Sequence, residues 1–110
     1  MDSLEKRLAN LEYYHTLMMR MIEPNRFPFY HLVMERGLSR EEIEELYRIC
    51  DELTYLHEEQ KAQGLVIFTD LLTQFAGQLN EKLEIVETVQ AMSKQGLYKS
   101  LMNDFIPLMK

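Results

Sequence analysis

Leu4, Leu8, Leu11, His15, Met18 and Ile22 follow one another at alternating steps of four and three residues. That rhythm is the a/d seam of a helix that packs against other helices. It predicts a first helix from about residue 3 to Ile22, stopped ahead of Pro24. Asp2-x-x-Glu5 reads as a capping box at its start, with acidic groups at the positive end of the helix dipole. The two halves differ. As far as Glu12 the pattern is amphipathic, whereas Tyr13 to Ile22 reads Tyr-Tyr-His-Thr-Leu-Met-Met-Arg-Met-Ile, apolar almost all round. Such a surface must be covered on most sides. One short chain has few helices to cover it with, so a second copy of the chain is the expected supplier. Arg7 and Glu12 fall at g and e of this heptad, where opposite charges favour pairing between helices. The cluster of Met18, Met19 and Met21 with Tyr13 and Tyr14 suits adaptable partner binding. A core or self-association role is the simpler reading of the same residues.

Pro24 to Pro28 reads as a turn flanked by Phe27 and Phe29. A short helix is expected from about Phe29 to Arg36, closed by Gly37 where a left-handed cap suits glycine. In Ser39-Arg40-Glu41-Glu42 the serine can cap the backbone while Glu42 folds back to it, so a third helix starts at Arg40 and is expected to end near Gly64. Its core stripe is Ile43, Leu46, Tyr47, Cys50, Leu53 and His57, with Glu44 and Arg48 paired on the outer face. Phe68, Leu71, Leu72, Phe75, Ala76 and Leu79 predict a long fourth helix from Leu65 to Leu79, running on towards Leu83. Gly77 inside it suggests a close helix contact. Ile85 to Val89 is the only stretch rich enough in β-branched residues to be a strand. A lone strand has no partner, so a helix from there to Gln95, capped by Gly96, is expected. A last helix carries Leu97, Leu101, Met102, Phe105 and Leu108, with Pro107 in its final turn. Val33–Leu38 and Met92–Leu97 echo each other as helix, glycine and new helix, a turn that recurs by chance.

Composition narrows the functional classes. The length of 110 residues fits one all-helical domain over 1–110, and three Pro and four Gly are too few for a turn-rich β-sandwich. A net charge of −6 argues against a phosphate-backbone ligand, because nucleic-acid binding begins with a positive field. Cys50 is the only cysteine, which excludes an intramolecular disulfide and fits a reducing compartment. Residues 1–7 have no apolar h-region, and no apolar stretch approaches ~20 residues, so the expected setting is cytoplasmic, away from any membrane.

Candidate chemistry is sparse. The Gly37-Leu38-Ser39 corner resembles a helix-turn-helix, yet its second helix opens Arg40-Glu41-Glu42-Ile43-Glu44-Glu45 and would set four glutamates against phosphates. An ordinary capped corner is the better reading. The corner at Lys94 and Lys99 is more basic and supports, as an alternative, a nucleic-acid-associated regulator. His15, His31 and His57 lack the i, i+4 spacing of a helical metal pair, and Cys50 lies about 10 Å along the helix from His57. Cys50 sits mid-helix on an apolar stripe, where a thiol behaves as a small hydrophobe. No catalytic, cofactor-binding or metal-ligating residues are therefore expected, and a pocket formed between subunits is the remaining route to an enzyme or small-ligand binder. His15 stands out as an imidazole on an apolar seam, a register device or a pH-sensitive contact.

Leu65 to Asn80, Gln95 to Phe105 and Arg36-Gly-Leu-Ser-Arg-Glu-Glu42 together resemble the YhaI-like proteins, small uncharacterised proteins of Bacillus and its relatives. The resemblance spans the chain. It implies an all-helical, multimeric fold in a bacterial cytoplasm and supplies no activity. The expectation is thus an all-α, multihelical bundle of long amphipathic helices whose packing is completed by self-association as a dimer or trimer through Leu4, Leu8, Leu11, His15, Met18 and Ile22. Its expected role is a non-catalytic protein–protein interaction or regulatory module without cofactors.

Overall fold

The computed structural model describes residues 3–109. Six α-helices and a closing 3-10 turn account for it, with no strand among the described residues: α1 Leu4–Met21, α2 Pro28–Arg36, α3 Arg40–Ala62, α4 Thr69–Gln78, α5 Ile85–Gln95, α6 Lys99–Phe105, then the turn Ile106–Met109. The fold is all-α, as the periodicities require.

Local chemistry sets most helix ends. The Ser39 hydroxyl accepts from the Glu42 N–H at 3.1 Å, and the Glu42 carboxylate accepts from the Ser39 N–H at 2.9 Å, so α3 begins at its capping box. Gly37 and Gly96 take the left-handed conformation, with φ of 70° and 80°. Each lets the next N–H reach back, Leu38 to the Val33 carbonyl at 3.0 Å and Leu97 to the Met92 carbonyl at 2.9 Å. The echo between these two corners is this shared cap geometry. At α1 the cap is Ser3, whose hydroxyl accepts from the Lys6 N–H at 3.1 Å. The Asp2 cap lies outside the described residues.

Ile85–Gln95 is a helix, because Glu84 supplies a start that β-propensity ignores. Its carboxylate accepts from the N–H groups of Val86 at 3.0 Å and Glu87 at 2.8 Å, and the same bonds hold its pKa below the usual carboxylate range. The start of α2 is capped from far along the chain. It has no side-chain cap of its own, and Gln95 Oε1 accepts from the N–H groups of Phe29 at 2.9 Å and Tyr30 at 3.1 Å. Gln95→Ala, which strips both orphan donors of their acceptor, is expected to lower stability by about 1–2 kcal/mol in urea unfolding. An unchanged midpoint would show that water replaces the amide there.

The fourth helix is shorter than its apolar spacing predicts. Gly64 ends α3 with φ 87°, the chain continues without regular structure, and Leu65, Val66 and Ile67 lie exposed before the buried Phe68. At the other end Leu79 is extended, and Asn80 Oδ1 accepts from the Lys82 N–H at 2.9 Å, turning the chain well before Leu83. The long helices are therefore α1 and α3. Gly77 meets no close neighbour, so tight packing is not its reason. Arg48 pairs with Glu45 and Glu52 in place of Glu44, which instead pairs with Arg40 at 3.0 Å.

One hydrophobic cluster links α2 to α6. It is built on Phe29, Leu53, Leu71, Phe75, Val89, Leu101, Met102 and Phe105, none more than 2% exposed. The α3 stripe enters it through Leu46, Cys50, Leu53 and His57, joined by Ile49, while Ile43 and Tyr47 are half-buried at its edge. Of the α4 stripe, Phe68, Leu71 and Phe75 are buried, whereas Ala76 is exposed. Helix α1 contributes none of its residues to the cluster. The molecule measures 63 × 24 × 20 Å, and α1, about 27 Å long at 1.5 Å per residue, accounts for its elongation.

Candidate functional site

The exposed face of α1 is the feature that folding leaves unexplained. Leu4 is 79% exposed, Leu11 62% and Met21 80%, with Leu8, Tyr13, Tyr14 and Met18 each more than half exposed. His15 is exposed among them. Ile22, the last residue of the seam, is the extended C-cap and half-buried. The structure thus keeps Leu4, Leu8, Leu11, His15 and Met18 on one helix and leaves their face open to solvent. Of the methionines, Met18 and Met21 are exposed and Met19 is half-buried.

At the base of α1 the chain forms an apolar groove of about 520 Å³ lined by Ile22, Phe27, Tyr30, Val33 and Met34. Phe27 stacks on Tyr30, centroids 6.1 Å apart and planes 11° apart, and the Arg26 guanidinium lies 5.6 Å above the Phe27 ring. Sequence reading missed this groove. Its one signal is the Phe27/Phe29 pair around Pro28: Phe29 enters the core, whereas Phe27, two residues earlier, is 41% exposed. The groove continues the apolar strip of α1 on to the helical body.

The polar candidates are built into the frame. His57, 1% exposed, shares a hydrogen bond of 2.7 Å with Asp104 Oδ2 and sets its ring edge-on to Phe68 at 4.6 Å, tying α3 to α6 and to the start of α4. The partner Asp104, 47 residues away, was not legible from the sequence. His31 pairs with Glu35 at 3.3 Å on α2. The three histidines do not converge, and no group of His, Cys, Asp and Glu among the described residues is placed to hold a metal ion. Burial, with a smaller contribution from Asp51, pushes the Cys50 thiol up to about 12, so it stays protonated at neutral pH.

Glu42 is the most heavily bonded carboxylate. It accepts from Lys82 Nζ at 2.7 Å, from Asn80 Nδ2 at 2.7 Å and from its own capping box, and chiefly the lysine holds it down at about 2. Tyr98 occupies the left-handed region at φ 49° and donates to Asp51 Oδ1 at 2.7 Å. Its phenol is raised above its ordinary pKa by desolvation and by that carboxylate. Both arrangements join helix ends to neighbours. Around the Gly37 corner, Glu41, Glu44 and Glu45 are exposed while Glu42 turns back to the cap. Lys94 and Lys99 are exposed at the other corner.

The sequence pattern of the DUF1878 family, described as a protein of unknown function, matches residues 1–110. The chain belongs to that family. Because the match spans the whole sequence, the open face of α1 and the helical core both lie inside the segment that DUF1878 defines. The family supplies no activity for this DUF1878 chain, so the functional reading must come from the surface itself. No helix among the described residues is long and apolar enough to cross a membrane.

Proposed function

We propose that this DUF1878 chain is a non-catalytic protein–protein interaction module of regulatory type, that it works as a homo-oligomer, and that α1 is its contact element. The observation that carries the reading is an 18-residue helix with no buried residue and an apolar face. Isolated helices of that length are marginal in water, and most helical stability in proteins comes from packing an apolar face. Eight apolar side chains on the seam side of α1 and the adjoining groove, Phe27 and Tyr30 included, are 41% to 80% exposed. At roughly 25 cal/mol per Å², a fully buried side chain of this kind corresponds to on the order of 100 Å². Together they approach the ~800 Å² per partner of a standard interface. A second copy of the chain brings a matching strip. We place the protein in the YhaI-like group and in a bacterial cytoplasm on the stretches quoted above and the lone Cys50.

Light scattering across a concentration series tests the reading. The mass of two or three chains at micromolar concentration is the expected result. One chain's mass, 13.2 kDa, persisting at high micromolar concentration would overturn it.

A further inference from the structure

We propose that copies of this chain associate through α1 in parallel, which brings His15 of one copy against His15 of the other inside the seam and makes assembly acid-sensitive. This rests on the interaction reading above and adds orientation and regulation to it.

The heptad register decides the orientation. With Leu8, His15 and Ile22 at a and Leu4, Leu11 and Met18 at d, the g positions are Arg7, Tyr14 and Met21, and the e positions are Glu5, Glu12 and Met19. In a parallel pair each g residue faces the e residue five places on. Arg7 then meets the partner's Glu12 on both sides of the seam, and Tyr14 meets the partner's Met19. In a fully overlapped antiparallel pair e faces e and g faces g. Glu12 would then oppose the partner's Glu12, and Arg7 would lie beside the partner's Met21. Opposite charges meet in the first arrangement and like charges in the second, and such pairs set partner orientation. Arg7 and Glu12 are both exposed on α1 and free to turn towards a second helix. Parallel association also sets the two grooves of Ile22, Phe27, Tyr30, Val33 and Met34 side by side at the same end, prolonging the seam.

Parallel packing places a against a, so His15 lies against the partner's His15. The groups around it are Glu12 one turn earlier on the same helix, occupied by the partner's Arg7, and from the other helix the partner's His15 and the partner's Tyr14. Histidine changes charge between pH 5 and 8. Two neutral imidazoles fit a mixed seam, whereas two imidazolium ions set like charges together in an apolar contact. Assembly is therefore weakened in acid, where both imidazoles carry a proton. His31 and His57 are engaged within the protomer, with Glu35 and Asp104.

The test uses the full chain. Leu8→Cys places a thiol in the seam, and Cys50, fully buried, does not compete. Under mild oxidation at pH 8, a disulfide-linked pair on a non-reducing gel is the expected product. In the antiparallel arrangement the introduced thiols sit about 15 Å apart along the axis, beyond disulfide reach. Multimers by light scattering without that cross-link would overturn the parallel arrangement and leave the interaction reading standing; a monomer at every concentration would overturn both. From pH 8 to 5.5 the native chain should associate on the order of tenfold more weakly or worse, with helical circular dichroism retained. His15→Leu should associate more tightly and without that pH response. An unchanged pH response in His15→Leu, or none in the native chain, would remove His15 from the mechanism.

Discussion

Leu8→Asp combined with Leu11→Asp is expected to abolish self-association while the protomer keeps its thermal transition at low concentration. Both leucines are more than half exposed and α1 buries none of its residues, so the cluster from α2 to α6 loses nothing by the change. Surface substitutions of this kind usually move stability by less than about 0.5 kcal/mol. The effect on assembly is large. Full burial of a leucine is worth about 1.5–3 kcal/mol, two are lost from each chain, and four carboxylates enter the seam of a pair. The expected loss of affinity exceeds ~10³-fold. Light scattering and a melting curve on the same sample separate the two readouts. Retained assembly would move the contact surface away from α1, and a collapsed melting transition would show that α1 is part of the protomer's core after all.

Phe75→Ala is expected to have the opposite signature, a lower melting temperature at every concentration. Phe75 is fully buried on α4 and stacks on Phe105 of α6, centroids 5.8 Å apart and planes 24° apart. That pair connects the α3–α4 hairpin to the C-terminal helices. Truncating a buried phenylalanine costs about 3–5 kcal/mol, from lost burial and the cavity left behind. For a chain of this size the melting temperature should fall by more than about 10 °C. A loss under about 1 kcal/mol would mean that α4 packs loosely. The contrast between Phe75 and Leu8 is the physical argument in small: both are apolar residues at regular helical positions, one spent on folding and the other left available.

That contrast also marks how far the sequence was legible. Helix existence followed from spacing throughout, and the helix ends at Ser39, Gly37 and Gly96 followed from side chains adjacent to the bonds they satisfy. The helix from Ile85 to Gln95 was reached only by rejecting a lone strand, because its cap, Glu84, is an uncommon one and Ile85 to Val89 is rich in β-branched residues. Leu65–Ile67 misled because the fourth helix was started directly after Gly64, where the left-handed backbone ends one helix and the chain must travel before starting the next at Thr69. The Arg48 pairing was only partly legible, since Glu44, Glu45 and Glu52 all lie within reach on the helix surface and the spacing does not choose among them.

The sequence by itself determined the all-α class, the caps and the periodic face of each helix, because those depend on residues within one or two turns of each other. It also determined that α1 carries an apolar seam with His15 in it. Only the tertiary structure decided which faces are satisfied inside the chain. Gln95 reaching back to α2, Asp104 meeting His57 and Lys82 meeting Glu42 join residues 40 or more positions apart, and no local pattern selects such partners. The same holds for the open face of α1: periodicity says that a stripe should be covered, and the packing of every other helix says that this chain does not cover it.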